Sequence, residues 1–315
     1  MDVLDRARRG DERAFRELTE PHHHELRVHC YRMLGSLTDA EDVLQETLLA
    51  AWRGLDGYAC RASVRTWLYR IATNRCLNAM RDASRRRPPE PTPSFEPPEP
   101  SRRTDVTWLQ PCPDAVLGPE TSYHRRETVE LAFIAALQRL PPRQTATLLL
   151  RDVLGYSTAE AAELLGTSPT AVKGALQRAR AQLDRPADPD HTPLPDSPAE
   201  RELTRRFADA FTAGDVDGIL ALLTDDAWLS MPPAPHEYQG DGIAALFTTF
   251  ATWCGPRIRR LVPTRANTQP AFGCYLDGKP AGLFVLTPTG DGISALTWFL
   301  HDGLRPRFGL PATVT

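Results

Sequence analysis

Ser157 to Leu183, STAEAAELLGTSPTAVKGALQRARAQL, decides how the rest of the chain is read. Its spacing predicts two short helices separated by a tight turn. Ser157 is a good N-cap, Ala161, Ala162 and Leu165 line one apolar face, and Gly166 ends the first helix. Ser168 caps the second, and Pro169 takes the first helical position, where a missing N–H costs nothing. Val172, Leu176 and Ala179 supply a buried stripe. Gly174 departs from a good helix, costing ~1 kcal/mol relative to alanine. The other face presents Ser168, Thr170, Lys173, Gln177, Arg178 and Arg180, side chains that suit contact with base edges and phosphates when a helix enters a DNA groove. A solvated basic face on a helical hairpin is the plain alternative.

Working outward, Leu140-Pro141-Pro142-Arg143 leads into a helix through Leu148 to Arg151, a turn follows at Gly155, and Leu176-Gln177-Arg178-Ala179-Arg180 closes the unit. On these residues the stretch resembles region 4 of the sigma-70 family of transcription initiation factors. The resemblance implies that the six polar residues above read or grip an upstream minus-thirty-five element.

Upstream, residues 11–82 carry a helical pattern throughout. Within it Ala40, Val43, Leu44, Thr47, Leu48 and Ala51 form one apolar stripe, leaving Asp39, Asp42, Gln45 and Glu46 on the opposite side. An acidic solvated face would look the same. The string Asp42-Val43-Leu44-Gln45-Glu46-Thr47, however, resembles region 2.2 of sigma factors, which implies docking of those four polar residues on the clamp helices of the RNA polymerase largest subunit. After a loop at 54–63 comes a further helical pattern with Val64, Trp67, Leu68, Ile71, Ala72, Cys76 and Ala79 expected inside. Arg65, Arg70, Thr73, Asn74, Asn78 and Arg81 fall on the open face, a mixture of planar donors that suits splayed single-stranded bases. Trp67 to Asn74, WLYRIATN, is similar to regions 2.3 and 2.4 of extracytoplasmic-function sigma factors, which implies reading and melting of a minus-ten element. Trp67 is read as core.

Residues 83–120 hold ten prolines and the run Arg85-Arg86-Arg87. They read as a largely extended linker whose reach at ~3.1 Å per residue is roughly 100 Å. The patch from Asp105 to Pro111, DVTWLQP, is more apolar than a free linker needs and is expected to dock. The absence of a helical region 3 fits the minimal, extracytoplasmic-function type. A second spacer, 185–198, has five prolines.

Beyond it the period changes. Arg201 to Ala213 and Val216 to Leu223 read as helices, and 271–276, 282–287 and 293–300 as strands joined at Asp277-Gly278 and Asp291-Gly292. Helices followed by antiparallel strands give an α+β domain. Ala213-Gly214-Asp215-Val216-Asp217, a turn at Leu222 to Asp226, Met231-Pro232-Pro233 and Tyr238-Gln239-Gly240 resemble the SnoaL-like members of the NTF2 superfamily, which implies a cone enclosing a pocket. Trp228, His236, Tyr238, Phe272, Tyr275, Phe284 and Trp298 are the residues expected to line it, around a small apolar ligand; alternation alone leaves open which of them face inward.

The expected architecture is therefore multidomain: a region 2 helical domain (1–82), a linker (83–120), a region 4 helix-turn-helix (121–184), a spacer (185–198) and a SnoaL-like cone (199–315). Residues 1–184 carry 26 basic and 25 acidic residues, whereas 185–315 carry 11 and 15. So little net charge predicts weak DNA binding unless a partner helps, since nonspecific affinity comes mainly from phosphate neutralisation. The expected partners are the polymerase core, through its clamp helices and flap, and promoter DNA. Six scattered cysteines without a CxxC pair exclude a disulfide framework or a zinc finger. His22-His23-His24 and His29 read as surface histidines on a helix, and neither metal nor cofactor is expected. No apolar run has membrane-spanning length, so a cytoplasmic protein without a membrane partner is expected. Two alternatives remain beside the sigma reading: a SnoaL-like enzyme using His236, Asp225, Asp226 or His301, and a ligand-sensing helix-turn-helix regulator.

Overall fold

The computed structural model describes residues 2–83, 95–103, 109–118, 129–183, 193–300 and 302–315. These divide into two compact units, one formed within 1–87 and 117–185, the other within 88–116 and 186–315.

In the first unit α1 (Val3–Arg8), α2 (Glu12–Leu34), α3 (Leu37–Gly54) and α4 (Val64–Ala83) form a helical domain. Local chemistry sets its boundaries. The Asp11 carboxylate accepts from the Arg13 and Ala14 amides at 3.0 Å to start α2, and Gly35, at φ 66°, stops it. Ser36 caps α3 by accepting from the Asp39 amide at 3.2 Å. Leu26, Cys30 and Met33 of α2 are buried, as are Val43 and Leu44 of α3 and Leu68, Tyr69, Ala72 and Cys76 of α4. Each large apolar side chain so buried contributes about 1.5–3 kcal/mol.

The same unit contains α5 (Leu131–Gln138), α6 (Pro142–Leu148), which runs on into a wider π turn at Leu149–Val153, α7 (Thr158–Leu164) and α8 (Pro169–Gln182). The two-helix unit expected from Ser157 onward is present with its caps. Ser157 accepts from the Glu160 amide at 3.2 Å while Glu160 accepts from the Ser157 amide at 2.7 Å, a complete capping box. Gly166 at φ 58° makes the turn, and Ser168 caps α8 by accepting from Ala171 at 3.2 Å. Val172 packs with Leu150, Tyr156, Ala161, Ala162 and Leu164. Because α7 ends at Leu164, that residue is buried and Leu165 only half-buried.

The second unit is built on a sheet of order β1-β3-β2-β7-β6-β5-β4, with β2 and β7 parallel and every other pair antiparallel. Its strands are β1 (Arg102–Arg103), β2 (Leu223–Ser230), β3 (His236–Gln239), β4 (Arg259–Ala266), β5 (Gln269–Leu276), β6 (Lys279–Thr289) and β7 (Gly292–Phe299). The expected strands are β5, β6 and β7, and Asp277 and Gly278 turn the chain at φ 48° and 75°. The stretch Leu222 to Asp226, read as a turn, instead leads into β2. Helices α9 (Pro198–Ala213), α10 (Val216–Leu220) and α11 (Asp241–Cys254) accompany the sheet. Phe207 and Phe211 of α9 and Ile243, Leu246, Phe247 and Phe250 of α11 share one core with Phe272, Phe284 and Trp298.

The proline-rich segment is not a free linker where it is described. Phe95 is buried in that core, β1 adds an edge strand to β3, and Leu109, Gln110 and Cys112 are buried. Cys112 and Asn267 exchange hydrogen bonds of 2.8 Å, amide to Oδ1 one way and amide to carbonyl the other. Proline disfavours helix and central strand but is compatible with an extended segment lying along a sheet edge. Asp105 to Trp108 and the Arg85-Arg86-Arg87 run lie outside the described residues.

Candidate partner and nucleic-acid interfaces

On α3 the buried stripe turns one face inward, and Asp39, Asp42, Gln45 and Glu46 are all exposed on the other. Leu49 is 55% exposed, an unusual value for a leucine. It stands seven, four and three residues after Asp42, Gln45 and Glu46, so these four share one helix face. Sequence reasoning passed over Leu49; the available signal was an apolar residue outside the buried stripe. Glu46 also lies 3.5 Å from Arg75 of α4, an exposed pair of small energetic weight.

Along α4 the exposed line is Arg70, Asn74, Asn78 and Arg81, repeating every three or four residues. Arg81 donates to the Asn78 side chain. Two residues expected on this face are elsewhere. Thr73 is fully buried, its hydroxyl 2.9 Å from Nε2 of His29, because α4 turns Tyr69, Thr73 and Cys76 toward α2. Burial, with Arg32 and Arg65 nearby, lowers the His29 pKa to about 3, so this imidazole is neutral. Arg65 is engaged by Glu25 of α2, with Nε to Oε2 at 2.8 Å and Nη2 to Oε2 at 2.7 Å. Its guanidinium lies 4.8 Å from the Tyr69 ring centre, and Nη1 reaches the Tyr156 hydroxyl at 3.5 Å. Burial pushes the Glu25 carboxyl up, but Arg65 and His22 outweigh it and hold the pKa below its ordinary value. Trp67 stacks on Tyr58 at 4.8 Å and packs, half-buried, against the small cluster of Ala7, Ala14 and Leu55.

On α8 Ser168, Thr170, Lys173, Gln177, Arg178 and Arg180 are all exposed, opposite Val172, Leu176 and Ala179. Ser168 is the cap, and Arg180 makes a two-pronged contact with Asp152 at 2.7 and 2.8 Å. A line of Thr170, Lys173 and Gln177, flanked by Arg178, is thus carried on a helix whose start and buried side are both fixed.

Within the cone the expected lining residues separate into two groups. Tyr238, Phe272, Phe284 and Trp298 belong to the interior core. Trp228, His236 and Tyr275 do not. Trp228 is half-buried beneath Arg102, whose guanidinium carbon lies 4.4 Å from the ring centre. His236 is half-buried, 6.5 Å from Tyr238. The Tyr275 hydroxyl donates to the Pro311 carbonyl at 2.6 Å, on the face covered by the C-terminal segment. The interior is packed with rings: Phe284 and Trp298 at 4.7 Å, Phe250 and Trp298 at 4.8 Å, and Phe95 at 5.4 Å from Phe250 and 5.8 Å from Trp298. Asp225 and Asp226 are exposed near the start of β2, and His301 lies outside the described residues. Among the described residues no group of three or more His, Cys, Asp or Glu is arranged to hold a metal, and no helix is long and apolar enough to cross a membrane.

Comparison with known proteins accounts for both helical parts. The family Sigma-70 region 2 matches residues 18–86, and Sigma-70 region 4 matches 130–183. The chain is 46% identical over 321 residues to the ECF RNA polymerase sigma factor SigG of Mycobacterium tuberculosis, covering 96% of this chain and 85% of that one. It is 36% identical over 178 residues to SigM of the same organism, covering 56% of this chain and 78% of that one. The crystal structure of the M. tuberculosis sigma factor SigJ has a TM-score of 0.61, covering 92% of this chain and 96% of that one at 23% identity, a likeness of fold that includes the tail. Related along nearly its whole length to such a factor, the chain belongs to the extracytoplasmic-function RNA polymerase sigma factors.

Proposed function

We propose that the protein directs promoter recognition through three separate helix faces and regulates itself through its tail. Asp39, Asp42, Gln45, Glu46 and Leu49 on α3 dock on the polymerase core, at the clamp helices of its largest subunit. Arg70, Asn74, Asn78 and Arg81 on α4 hold the opened minus-ten strand. Thr170, Lys173, Gln177 and Arg178 on α8 read the minus-thirty-five element in the major groove, with Ser168 fixing the helix start and Arg180 its base. The observation that carries this reading is the coincidence of exposure and spacing: each set is exposed while the opposite side of its helix is buried. The protein acts in the cytoplasm, where its polymerase is.

The tail acts as an intramolecular regulator and not as an enzyme. Phe95 supports this, because a residue from the segment joining the two DNA-reading parts fills the tail's aromatic interior, and Asp225 and Asp226 are exposed near the start of β2. Run-off transcription with core polymerase tests the whole reading. Alanine at Arg70, Asn74 and Asn78 should lower output from a closed template and be partly rescued by a pre-melted bubble, which supplies the unstacking energy. Truncation after residue 198 should alter output on a fixed promoter without moving its start site. Equal defects on both templates, or unaltered output on truncation together with turnover of a substrate by the tail, overturn the respective parts.

A further inference from the structure

Arg265, near the end of β4, gathers two segments that are far apart in sequence. Nη1 lies 2.8 Å from Glu200 Oε2 and 3.5 Å from Asp196 Oδ1, and Nε lies 3.3 Å from Asp114 Oδ2. Nη2 donates to the Thr268 carbonyl at 2.8 Å and reaches Glu200 Oε1 at 3.4 Å. Asp114 Oδ1 accepts from the Thr268 amide at 2.7 Å, and Glu200 Oε2 accepts from the Asp196 amide at 2.8 Å. The Arg265 side chain is 24% exposed and that of Glu200 2% exposed. Asn267 and Thr268 turn the β4–β5 hairpin at φ 56° and 63°, which presents the Thr268 amide and carbonyl to these partners.

The two segments gathered are the chain's approach to region 4 and its return from it. Asp114 precedes the region 4 match at 130–183, and Asp196 and Glu200 follow it. We propose that Arg265 is a clasp that closes the chain around region 4, so that region 4, with the region 2 helices it packs on, is tied to the tail where the chain leaves for it and returns from it at a single point. Arginine suits the task because its planar fork serves several carboxylates and a carbonyl from one position, which the single ammonium of lysine does not. Holding both ends of an inserted segment restricts it more than one tether would, since each end then limits the travel of the other. The consequence for transcription rests on the regulatory reading of the tail; the clasp itself does not.

The full-length protein supplies the test. Hydrogen exchange read in Arg265→Gln should show the amides of Asp196 and Thr268 exchanging about tenfold faster or more, with those of β6 and β7 unchanged. Spin labels at Glu163→Cys in α7 and Asp226→Cys in β2, with exposed Cys60 replaced by serine, should give a broadened distance distribution in Arg265→Gln and an intermediate one in Arg265→Lys. If Arg265→Gln fails to fold, Asp114→Asn loosens the approach alone, keeps the Thr268 contact, and should also broaden the distribution. An unchanged distribution in a folded variant overturns the clasp. A broadened distribution with unchanged transcription on a fixed promoter supports the clasp and overturns the regulatory reading instead.

Discussion

Arg65 on α4 grips Glu25 on α2 through two nitrogens at 2.7 and 2.8 Å, and its guanidinium also faces Tyr69 and Tyr156. A residue whose position in sequence suits DNA contact is therefore part of the packing between the region 2 and region 4 helices of the first unit. Arg65→Ala should lower stability by about 1–2 kcal/mol, the scale of a partly exposed two-pronged pair next to aromatic rings. Thermal denaturation checks the loss. Transcription across promoters with single-base changes in the minus-ten element should show no altered preference; a base-specific change would restore the DNA role.

Leu49→Ala should leave the melting temperature within error, since the side chain is largely exposed, yet weaken holoenzyme assembly by about 1 kcal/mol or more as expected of an apolar residue central to an interface. Gln45→Ala with Glu46→Lys should weaken it further. Titration of labelled protein with core polymerase measures both, and unchanged affinity in either variant removes this helix face from the interface.

On α8, Gln177→Ala and Arg178→Ala should each cost about 1–3 kcal/mol at one or two promoter positions if they contact bases, and equally at all positions if they contact phosphate. Arg180→Ala acts differently, because that guanidinium is already held by Asp152. Its main effect should be a small loss of region 4 stability. Output from a set of single-base minus-thirty-five variants separates these outcomes.

His29 gives the fold a pH dependence of known sign. Its pKa is about 3 when folded and about 6.5 when unfolded. Between those values the unfolded chain binds a proton that the folded one does not, so stability falls as pH drops below 6.5, by up to about 1.4 kcal/mol per pH unit. Denaturant midpoints from pH 7.5 to 5 should show this decline, and His29→Gln should flatten it. Thr73→Val, which removes the partner hydroxyl without exposing it, should cost about 1–2 kcal/mol and leave promoter melting intact.

The helices of the first unit, the caps of α7 and α8 and the exposed stripes were legible in the sequence because each depends on residues within a turn or two of one another, whereas α11, β2, β3 and β4 went unread. Ser157, Glu160, Ser168 and Pro169 set where α7 and α8 begin, while packing on Leu150 and Tyr156 holds them. The same local rule placed Asp42, Gln45 and Glu46 outside and Val43 and Leu44 inside, and it found β5, β6 and β7 from their turns. It was less exact on α4, where Tyr69 and Thr73 are buried and Val64 and Trp67 only half-buried, since the packing of α2 selects among neighbouring faces of one helix. Alternation failed for Tyr275 because β5 is covered on both sides, and such a strand carries no inside and outside to read. What only the tertiary structure decided lies in long-range pairs: Arg65 with Glu25, Phe95 with Trp298, and Arg265 with Asp114 and Glu200. A proline-rich composition says that a segment will not be helical; whether it stays in water or lies on a sheet depends on the apolar surface and unpaired edge that another part of the chain offers, and those exist only once the chain has folded.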